Sequence, residues 1–248
     1  MMKSMARNYV TNGIVLAIKP LGENNSSVCI LTEEQGIIFA TLYGGHKSKL
    51  RSLVSLWNSG VMYLYCKDFT DVSKNVKISD FDVKNYHLSF REDLYKMYAA
   101  SLASEIVIKT QSAGNEKECF TLLLAFFTGL EHSSKEQCES GLLRFIWRYL
   151  ELLGLQADTE NCSICGKSLL TSKEAQDSVS YNIVENGFCC KNCKTNYDFT
   201  ISAEALNYLY NVSTQKPQVA RELKLNASSL QELKRLLLFL AEQCAGTK

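Results

Sequence analysis

Two cysteine pairs with the same internal spacing constrain the fold of this chain more than any other feature of its sequence. Cys162 and Cys165 form one Cys-x-x-Cys pair, and Cys190 and Cys193 form the other, with 24 residues between the pairs. Such a turn lets both sulfurs face one point, and Gly166 permits the tight bend after the first pair. Two pairs supply the four thiolates of a tetrahedral zinc site, which is structural because no coordination position stays open. Four buried thiols or a redox dithiol remain as alternatives.

The stretch between the two pairs has the pattern of a β-hairpin. Val179 to Glu185 is strand-like, and Asn186-Gly187 predicts a type I′ turn. Cys189 competes with Cys190 as a ligand, but using it would break the two-residue spacing of the second pair. The other cysteines are scattered and are expected to pack in the core. They are Cys29, Cys66, Cys119, Cys138 and Cys244.

The first third of the chain predicts short β-strands separated by turn residues. A short helix is expected between the third and fourth strands, from Lys49 to Trp57. Five strands with such an insertion fit a Greek-key barrel of the OB type, although an SH3-like barrel has the same strand count. The predicted strands are Gly13 to Lys19, Ser26 to Thr32, Gly36 to Tyr43, Val61 to Lys67 and Asn75 to Asp80.

From about Leu88 the hydrophobic period becomes helical. Ser89 and Glu92 have the spacing of a capping box, and a second box is expected at Ser229 and Glu232. An apolar stripe is predicted at Leu94, Tyr98, Leu102 and Ile106, and in a later helix at Leu142, Leu143, Ile146, Tyr149, Leu150 and Leu153. Further helices are predicted at 116–130, 135–153, 202–211, 217–225 and 229–244.

The predicted fold class is therefore α+β. An N-terminal OB-type β-barrel over residues 1–82 is followed by an α-helical domain over residues 83–248. That domain carries a four-cysteine, zinc-ribbon-like insertion over residues 158–200.

Positive charge is concentrated near the amino terminus, although the formal net charge of the chain is only +1. The first 67 residues carry seven Lys or Arg against three Glu, a local charge of +4. No Asp or Glu occurs from Gln35 to Lys67. We therefore expect a basic module attached to a slightly acidic body.

A glycine-containing loop within this basic region is the candidate nucleic-acid site. Lys47, Lys49 and Arg51 would attract phosphates in a salt-dependent way, and Tyr43 could stack on an unpaired base. Tyr63, Tyr65 and Trp57 are further aromatic residues near this loop in the sequence. Weaker candidate cations are Lys19 and Arg7. The alternative is a solvated loop beside aromatic core residues.

No catalytic motif is recognisable, so the chain is predicted not to be an enzyme. Gly166-Lys167-Ser168 resembles the end of a phosphate-binding loop, but Asn161 stands where that motif needs glycine. Three histidines and two prolines do not supply the zinc deaminase signature. No signal peptide is evident, and the apolar stretches are too short to cross a bilayer, so a cytoplasmic protein is expected.

Several segments together resemble the bacterial recombination mediator family RecO. The most specific is the Arg-Phe helix that leads into the first cysteine pair. The matching segments are Gly13-Ile-Val-Leu-Ala-Ile, Leu31-Thr-Glu-Glu-Gln-Gly36, Gly44-Gly-His-Lys-Ser-Lys-Leu50 and Leu143-Arg-Phe145 through Leu155 to Cys162-x-x-Cys165-Gly166. The chain departs from the family in its near-neutral charge and in its lack of a basic carboxy-terminal tail.

The resemblance implies a DNA repair protein of the bacterial cytoplasm and nucleoid. It would bind single- and double-stranded DNA and anneal complementary strands. With RecR, it would promote RecA loading onto DNA covered by single-stranded-DNA-binding protein. The alternative is a zinc-stabilised protein-interaction module without DNA contact of its own.

Overall fold

The computed structural model describes residues 7–44, 48–66, 76–170, 178–195 and 199–246. The chain forms two compact units, Met1–Cys138 and Glu139–Lys248. The barrel and the first helices after it belong to the first unit, and the cysteine pairs belong to the second. The division between domains at residues 82 and 83 stays a prediction.

Five strands of the first unit close into a barrel in the order β1-β2-β3-β5-β4. Every neighbouring pair is antiparallel except β3 and β5, which are parallel. This crossover is the Greek-key arrangement of the OB type, so the predicted fold class is confirmed and the SH3-like alternative is not needed. The strands are β1 (Arg7–Leu21), β2 (Asn25–Thr32), β3 (Gly36–Leu42), β4 (Ser59–Cys66) and β5 (Val76–Asn85).

The predicted insertion between the third and fourth strands contains a short helix, α1 (Lys49–Leu53). It is shorter than predicted, because the chain turns at Val54 and Trp57 has a positive φ of 66°. The Trp57 indole is buried and lies edge-on to the ring of Phe90, with 5.8 Å between ring centroids. Trp57 is therefore a packing residue, in agreement with the alternative of aromatic core residues beside the loop.

Alternate residues of the strands fill the barrel interior, as expected when side chains alternate between the faces of a sheet. The buried cluster contains Val15, Val28, Ile30, Ile38, Ala40, Leu42, Val54, Met62, Leu64, Cys66, Val76, Ile78 and Phe81. On the outer surface, helices of the same unit pack against β1, β2 and β3. They are α3 (Leu94–Thr110) and α4 (Glu116–Glu131), and the short helix α2 (Ser89–Glu92) packs against α3.

The start of α3 differs from the predicted capping box. Ser89 is the first residue of the short helix α2, and its side chain caps nothing. Asp93 caps α3 instead, because its carboxylate accepts hydrogen bonds from the backbone N–H groups of Tyr95 and Lys96, at 2.8 and 3.1 Å. The chain therefore bends between two helices where the sequence predicts one.

The buried face of α3 also differs from the predicted stripe. Leu94 and Tyr98 are 55% and 63% exposed, whereas Ile106 is buried. A spacing of four residues advances 40° beyond a full turn at each step, so such a stripe winds around the helix instead of facing one side. The buried face of α3 includes three alanines, Ala99, Ala100 and Ala103, together with Ile106 and Val107.

The second unit combines a small sheet with helices. Helix α5 (Lys135–Leu152) leads into it, and three antiparallel strands follow in the order β7-β6-β8. Of the predicted inward residues of α5, Leu143, Ile146, Tyr149 and Leu150 are buried, whereas Leu142 and Leu153 are half-buried. The later elements are β6 (Val179–Asn182), β7 (Gly187–Cys189), β8 (Phe199–Ile201), α6 (Ala203–Thr214), α7 (Pro217–Ala220) and α8 (Ala227–Ala245).

Hydrogen bonds from α5 fix helix α6 beside it. The indole N–H of Trp147 donates to the Leu209 carbonyl and the Ser213 hydroxyl. Arg148 donates to the carbonyls of Val212 and Gln215, which satisfies acceptors at the carboxyl end of α6.

The cap of α8 is another departure from the sequence prediction. Asn226, not Ser229, caps this helix, and its side chain accepts from the backbone N–H of Ser229 at 2.8 Å. Glu232 instead accepts the backbone N–H of Ser202. Within the described ranges, none of the helices combines the length and the apolar character needed to cross a membrane.

Candidate metal centre and candidate nucleic-acid interface

The structure brings the four predicted cysteines together. The Sγ atoms of Cys162, Cys165, Cys190 and Cys193 all lie within 4.8 Å of one another. The Cys165 and Cys190 sulfurs are 3.8 Å apart. Zinc–sulfur bonds of about 2.3 Å in a tetrahedron require sulfurs about 3.8 Å apart, so the cluster has the dimensions of a four-thiolate zinc site. It could bind a metal ion.

Each cysteine pair lies on a tight backbone turn. In the first turn, the Gly166 N–H donates to the Cys162 carbonyl at 2.9 Å, and Gly166 has a positive φ of 72°. In the second turn, the Cys193 N–H donates to the Cys190 carbonyl at 3.0 Å. These bonds hold both sulfurs of each pair on one side of the backbone. The left-handed conformation explains why glycine follows the first pair.

The two turns are held together by contacts between the first turn and strand β7. The Ser163 N–H donates to the Phe188 carbonyl at 2.8 Å. The Cys190 N–H points at the Cys162 sulfur, with 3.4 Å between nitrogen and sulfur. A Cβ added at Gly187 would lie 2.5 Å from the Ser163 Cβ, so only glycine allows this approach.

The hairpin between the cysteine pairs is present, but its turn is not the predicted one. Strand β6 ends at Asn182, which pairs with Gly187. The loop is therefore four residues long, and it contains Asn186 in the left-handed region with φ 47°. The Asn182 side chain holds this loop by accepting from the N–H groups of Val184 and Glu185. The type I′ turn centred on Asn186 and Gly187 is thus incorrect.

Two of the clustered sulfurs, those of Cys162 and Cys193, have strongly altered acidities. Burial opposes ionisation of Cys162, but hydrogen bonds from the backbone N–H groups of Cys165, Cys190 and Ile164 outweigh it and lower its pKa to about 6. Hydrogen bonds with the Cys165 and Cys190 sulfurs, together with the charge of Cys162, raise the pKa of Cys193 to about 12. Ionised sulfurs this close repel one another, and a divalent cation at their centre would offset that repulsion.

The remaining cysteines lie outside this cluster, as predicted. Cys29, Cys66, Cys119, Cys138 and Cys189 are buried, and Cys244 is partly exposed. Cys189 belongs to strand β7, and its sulfur lies 3.5 Å from the Ser163 hydroxyl. The competition between Cys189 and Cys190 is therefore resolved by strand alternation, because adjacent residues of an extended segment point in opposite directions.

The candidate nucleic-acid residues lie on the barrel and the α1 segment. Arg7 and Lys19 belong to β1, where Lys19 is exposed, and Lys49 is exposed at the start of α1. Arg51 is half-buried, and its guanidinium donates to the Gly44 carbonyl at 3.2 Å, which leads its side chain back toward the glycine loop. Lys47 lies outside the described residues.

An exposed tyrosine and a lysine that the sequence argument missed meet at the end of β3. Tyr43 is exposed, and the Lys77 ammonium nitrogen lies 4.9 Å from the centroid of its ring. Lys77 belongs to β5, where it pairs in register with Thr41. The proximity of Lys77 to Tyr43 could not be predicted from the sequence, because it depends on the parallel pairing of β3 and β5, which are distant along the chain.

The family model described as "Recombination protein O C terminal" matches residues 91–246, which is more than half of the chain and includes all four clustered cysteines. The chain belongs to the RecO family.

RecO relatives also align beyond the helical region. The DNA repair protein RecO of Alkaliphilus metalliredigens is 24% identical over 234 residues, which cover 92% of this chain and 89% of the relative. That of Bacillus pumilus is 29% identical over 206 residues, or 80% of this chain and 74% of the relative. The first alignment is too long to omit the barrel.

Other RecO relatives match a smaller part. The DNA repair protein RecO of Synechococcus elongatus is 26% identical over 163 residues, which are 64% of this chain and 59% of the relative. The match thus spans about three fifths of the length of that relative.

Proposed function

We propose that this protein is a DNA repair and recombination mediator that works by binding DNA and partner proteins rather than by catalysis. Membership of the RecO family carries the proposal. The OB-type barrel supports it, because barrels of this type bind oligonucleotides on strands 2 and 3 and the adjoining loops. The protein would act in the bacterial cytoplasm, at the nucleoid.

The proposed activity is the annealing of complementary DNA strands. Annealing needs backbone attraction that is independent of sequence, strong enough to hold strands and weak enough to release their bases for pairing. The exposed cations Lys19 and Lys49 would supply this attraction, together with Arg7, Arg51 and Lys47. Tyr43 would stack on unpaired bases. The protein would bind double-stranded DNA through the same charges.

The proposed partners follow from the family. Together with RecR, the protein would promote RecA loading on DNA coated by single-stranded-DNA-binding protein. Its own contribution would be to hold strands on the barrel while the helical second unit, with the bound Zn²⁺, keeps a fixed shape. Zinc is the proposed ion because four cysteine sulfurs form the donor set.

Charge reversal of the glycine loop tests the DNA contact. Lys47, Lys49 and Arg51 are replaced by Glu, and binding of a labelled single strand is measured over a range of salt concentrations. Each lost phosphate contact removes about 0.7 from the slope of log K against log salt, so the slope should fall by about 2. The matched control reverses the exposed lysines Lys109, Lys216 and Lys224, which gives the same change in net charge.

The outcome separates the two candidate functions. An unchanged affinity and slope in the loop variant, with the control equally unchanged, would remove these residues from the interface. A wild-type protein that shifts no single strand even at low salt would contradict DNA binding and favour the zinc-stabilised protein-interaction module.

A further inference from the structure

We propose that the outer face of the barrel around Phe39 is a base-stacking platform that selects single-stranded DNA, with Lys19 and Lys77 holding the backbone on its two sides. This inference rests on the proposed DNA-binding function and deepens it. It names the residues that would distinguish single strands from duplexes.

The strand β3 turns one set of side chains outward. Gly36, Ile38, Ala40 and Leu42 are buried, whereas the alternate positions are half-buried or exposed. The outward residues are Ile37, Phe39, Thr41 and, just beyond the strand, Tyr43. Phe39 is the most exposed of the large apolar side chains on β3, at 55%. A phenyl ring left this open in the middle of a strand has an apolar face available to a ligand.

Two lysines lie at the ends of the row of register partners next to Phe39. Lys19 pairs with Ser27, Ser27 with Thr41, and Thr41 with Lys77. The row crosses β1, β2, β3 and β5, and strands lie about 4.8 Å apart, so the two lysines are separated by roughly 14 Å. Stacked nucleotides rise about 3.4 Å each, so this distance suits about four phosphates. That is the short end of the site sizes found on single barrels of this type.

Phe39 lies beside this row, and the register places Lys19 close to its neighbour Cys29, because Cys29 pairs with Ala17, two residues before Lys19 on β1. Phe39 pairs in register with Cys29. Burial raises the pKa of the Cys29 thiol to about 11, and the positive charge of Lys19 acts in the opposite direction. The cation on β1 therefore lies near the residue that pairs with the exposed ring.

Helix α4 limits the platform at its other end. It packs against β2 and β3. A Cβ added at Gly36 would lie 2.8 Å from Cγ of Glu116, at the first residue of that helix. The outward residue Leu31, which pairs with Ile37, is consequently buried. The open part of the face is thus a short strip of small polar residues, lysines and the aromatic rings of Phe39 and Tyr43.

This chemistry fits an unpaired strand better than a duplex. Stacking on a side chain requires a free base face, which an unpaired base has and a base inside a duplex lacks. The small side chains of Ser27 and Thr41 leave room for bases between the two cations. The exposed Tyr63 on β4 offers a contrast, because it pairs in register with Asp80 and lies near the Lys84–Asp82 ion pair. Carboxylates there would repel phosphates.

The test compares Phe39→Leu with the matched control Tyr63→Leu in the full chain. Binding of a fluorescein-labelled oligo(dT) of about 15 nucleotides and of a duplex of equal length is measured. Phe39→Leu should weaken single-strand binding about tenfold or more, without changing the salt slope or the duplex affinity. Tyr63→Leu should leave both affinities unchanged, and Phe39→Tyr should bind like the wild type because it keeps a ring.

Further variants test the cations and the contact itself. The double variant Lys19→Gln/Lys77→Gln should lower the salt slope by about 1.4, because two phosphate contacts are lost. An oligonucleotide carrying 2-aminopurine should be quenched by the wild type and not by Phe39→Leu. Equal losses in Phe39→Leu and Tyr63→Leu, or none in Phe39→Leu while the wild type binds oligo(dT), would overturn the platform and leave the proposed function intact. Failure of the wild type to bind any DNA would overturn both.

Discussion

His87 is a buried ionisable side chain just after β5, where the chain leaves the barrel. Its Nδ1 lies 2.9 Å from a carboxylate oxygen of Glu131, and its ring stacks on Phe90 with 4.9 Å between centroids. Nε2 is buried with no hydrogen-bond partner among the residues that the structure describes. Burial lowers the pKa of His87, and Glu131 only partly opposes this. The neutral ring is therefore favoured at neutral pH, where Nδ1–H would donate to Glu131.

We predict that this histidine makes the protein less stable in mild acid. The unfolded chain takes up a proton at His87 as the pH falls below about 6.5, whereas the folded protein resists it until a lower pH. The stabilisation is therefore present above that pH and is lost as the pH falls. Urea unfolding at about pH 7.5 and 5.5 measures the loss.

The variant His87→Asn identifies the source of this effect. Asparagine tolerates the positive φ of 45° at this position and does not titrate, so the pH dependence should become shallower. Glu131 does not confuse the result, because its pKa is lowered from 4.5 and it remains ionised throughout the range. If the unfolding free energy of His87→Asn depends on pH as steeply as that of the wild type, His87 is not the source of the pH dependence.

A second prediction at the scale of single residues concerns the close approach of the first cysteine turn to the hairpin. Gly187→Ala should destabilise the protein by about 1–3 kcal/mol, because the added methyl would overlap Ser163. Removing the opposing Cβ in Ser163→Gly/Gly187→Ala should restore part of the loss. Thermal unfolding of the single and double variants measures this. If the double variant is merely as unstable as the sum of the single ones, the contact is not the cause.

At the scale of whole elements, the cap of α3 gives a sharp test, because sequence and structure disagree on it. Asp93→Ala should cost about 1 kcal/mol of unfolding free energy, since two backbone N–H groups at the start of the helix lose their acceptor. Asp93→Asn should be nearly neutral, because asparagine caps equally well. Equilibrium denaturation measures both. A nearly neutral Asp93→Ala would show that the cap contributes little.

The disagreement shows which parts of an element a sequence can specify. The five strands and most of the helices follow from hydrophobic period and turn residues, and the structure confirms them. The helix caps do not follow from the sequence. Ser89 and Ser229 have the spacing of a capping box, but the side chains of Asp93 and Asn226 are the ones that accept the backbone N–H groups at the starts of α3 and α8. The buried face of α3 follows only in part, because alanines contribute much of it beside Ile106 and Val107.

The candidate sites differ in the same way. The four cysteines could be predicted, because sequence spacing alone brings each pair of sulfurs together. Phe39 could not be predicted as a site residue, because both faces of β3 carry apolar residues. The alternation of side chains does not say which face other elements cover. Lys77 becomes relevant only through the pairing of β5 with β3. Local chemistry is therefore readable from sequence, and surfaces assembled from distant strands are not.

At the scale of the whole molecule, we predict that metal stabilises one unit and not the other. All four clustered cysteines belong to the unit Glu139–Lys248, and the barrel core includes none of them. Because the free energy of metal binding is also free energy of folding, a chelator under reducing conditions should speed amide exchange in that unit and spare the barrel. Hydrogen exchange read by mass spectrometry measures this.

Adjacent cysteines provide the control for this prediction. Native mass spectrometry should find one zinc ion per chain, which Cys190→Ala should lose and Cys189→Ala should retain, since only Cys190 belongs to the cluster. A wild-type chain that is fully folded without metal, or equal loss of metal in both variants, would contradict a structural zinc site.

The barrel wall has one short junction. Among the described residues, β3 meets β5 only through Ala40 with Val76 and Thr41 with Lys77, whereas β1 and β2 pair along most of their lengths. Thermal fluctuations should part the wall at this junction first. A polynucleotide lying across Thr41 and Lys77 would contact both strands at this junction. Bound DNA would therefore slow the local separation of β3 from β5.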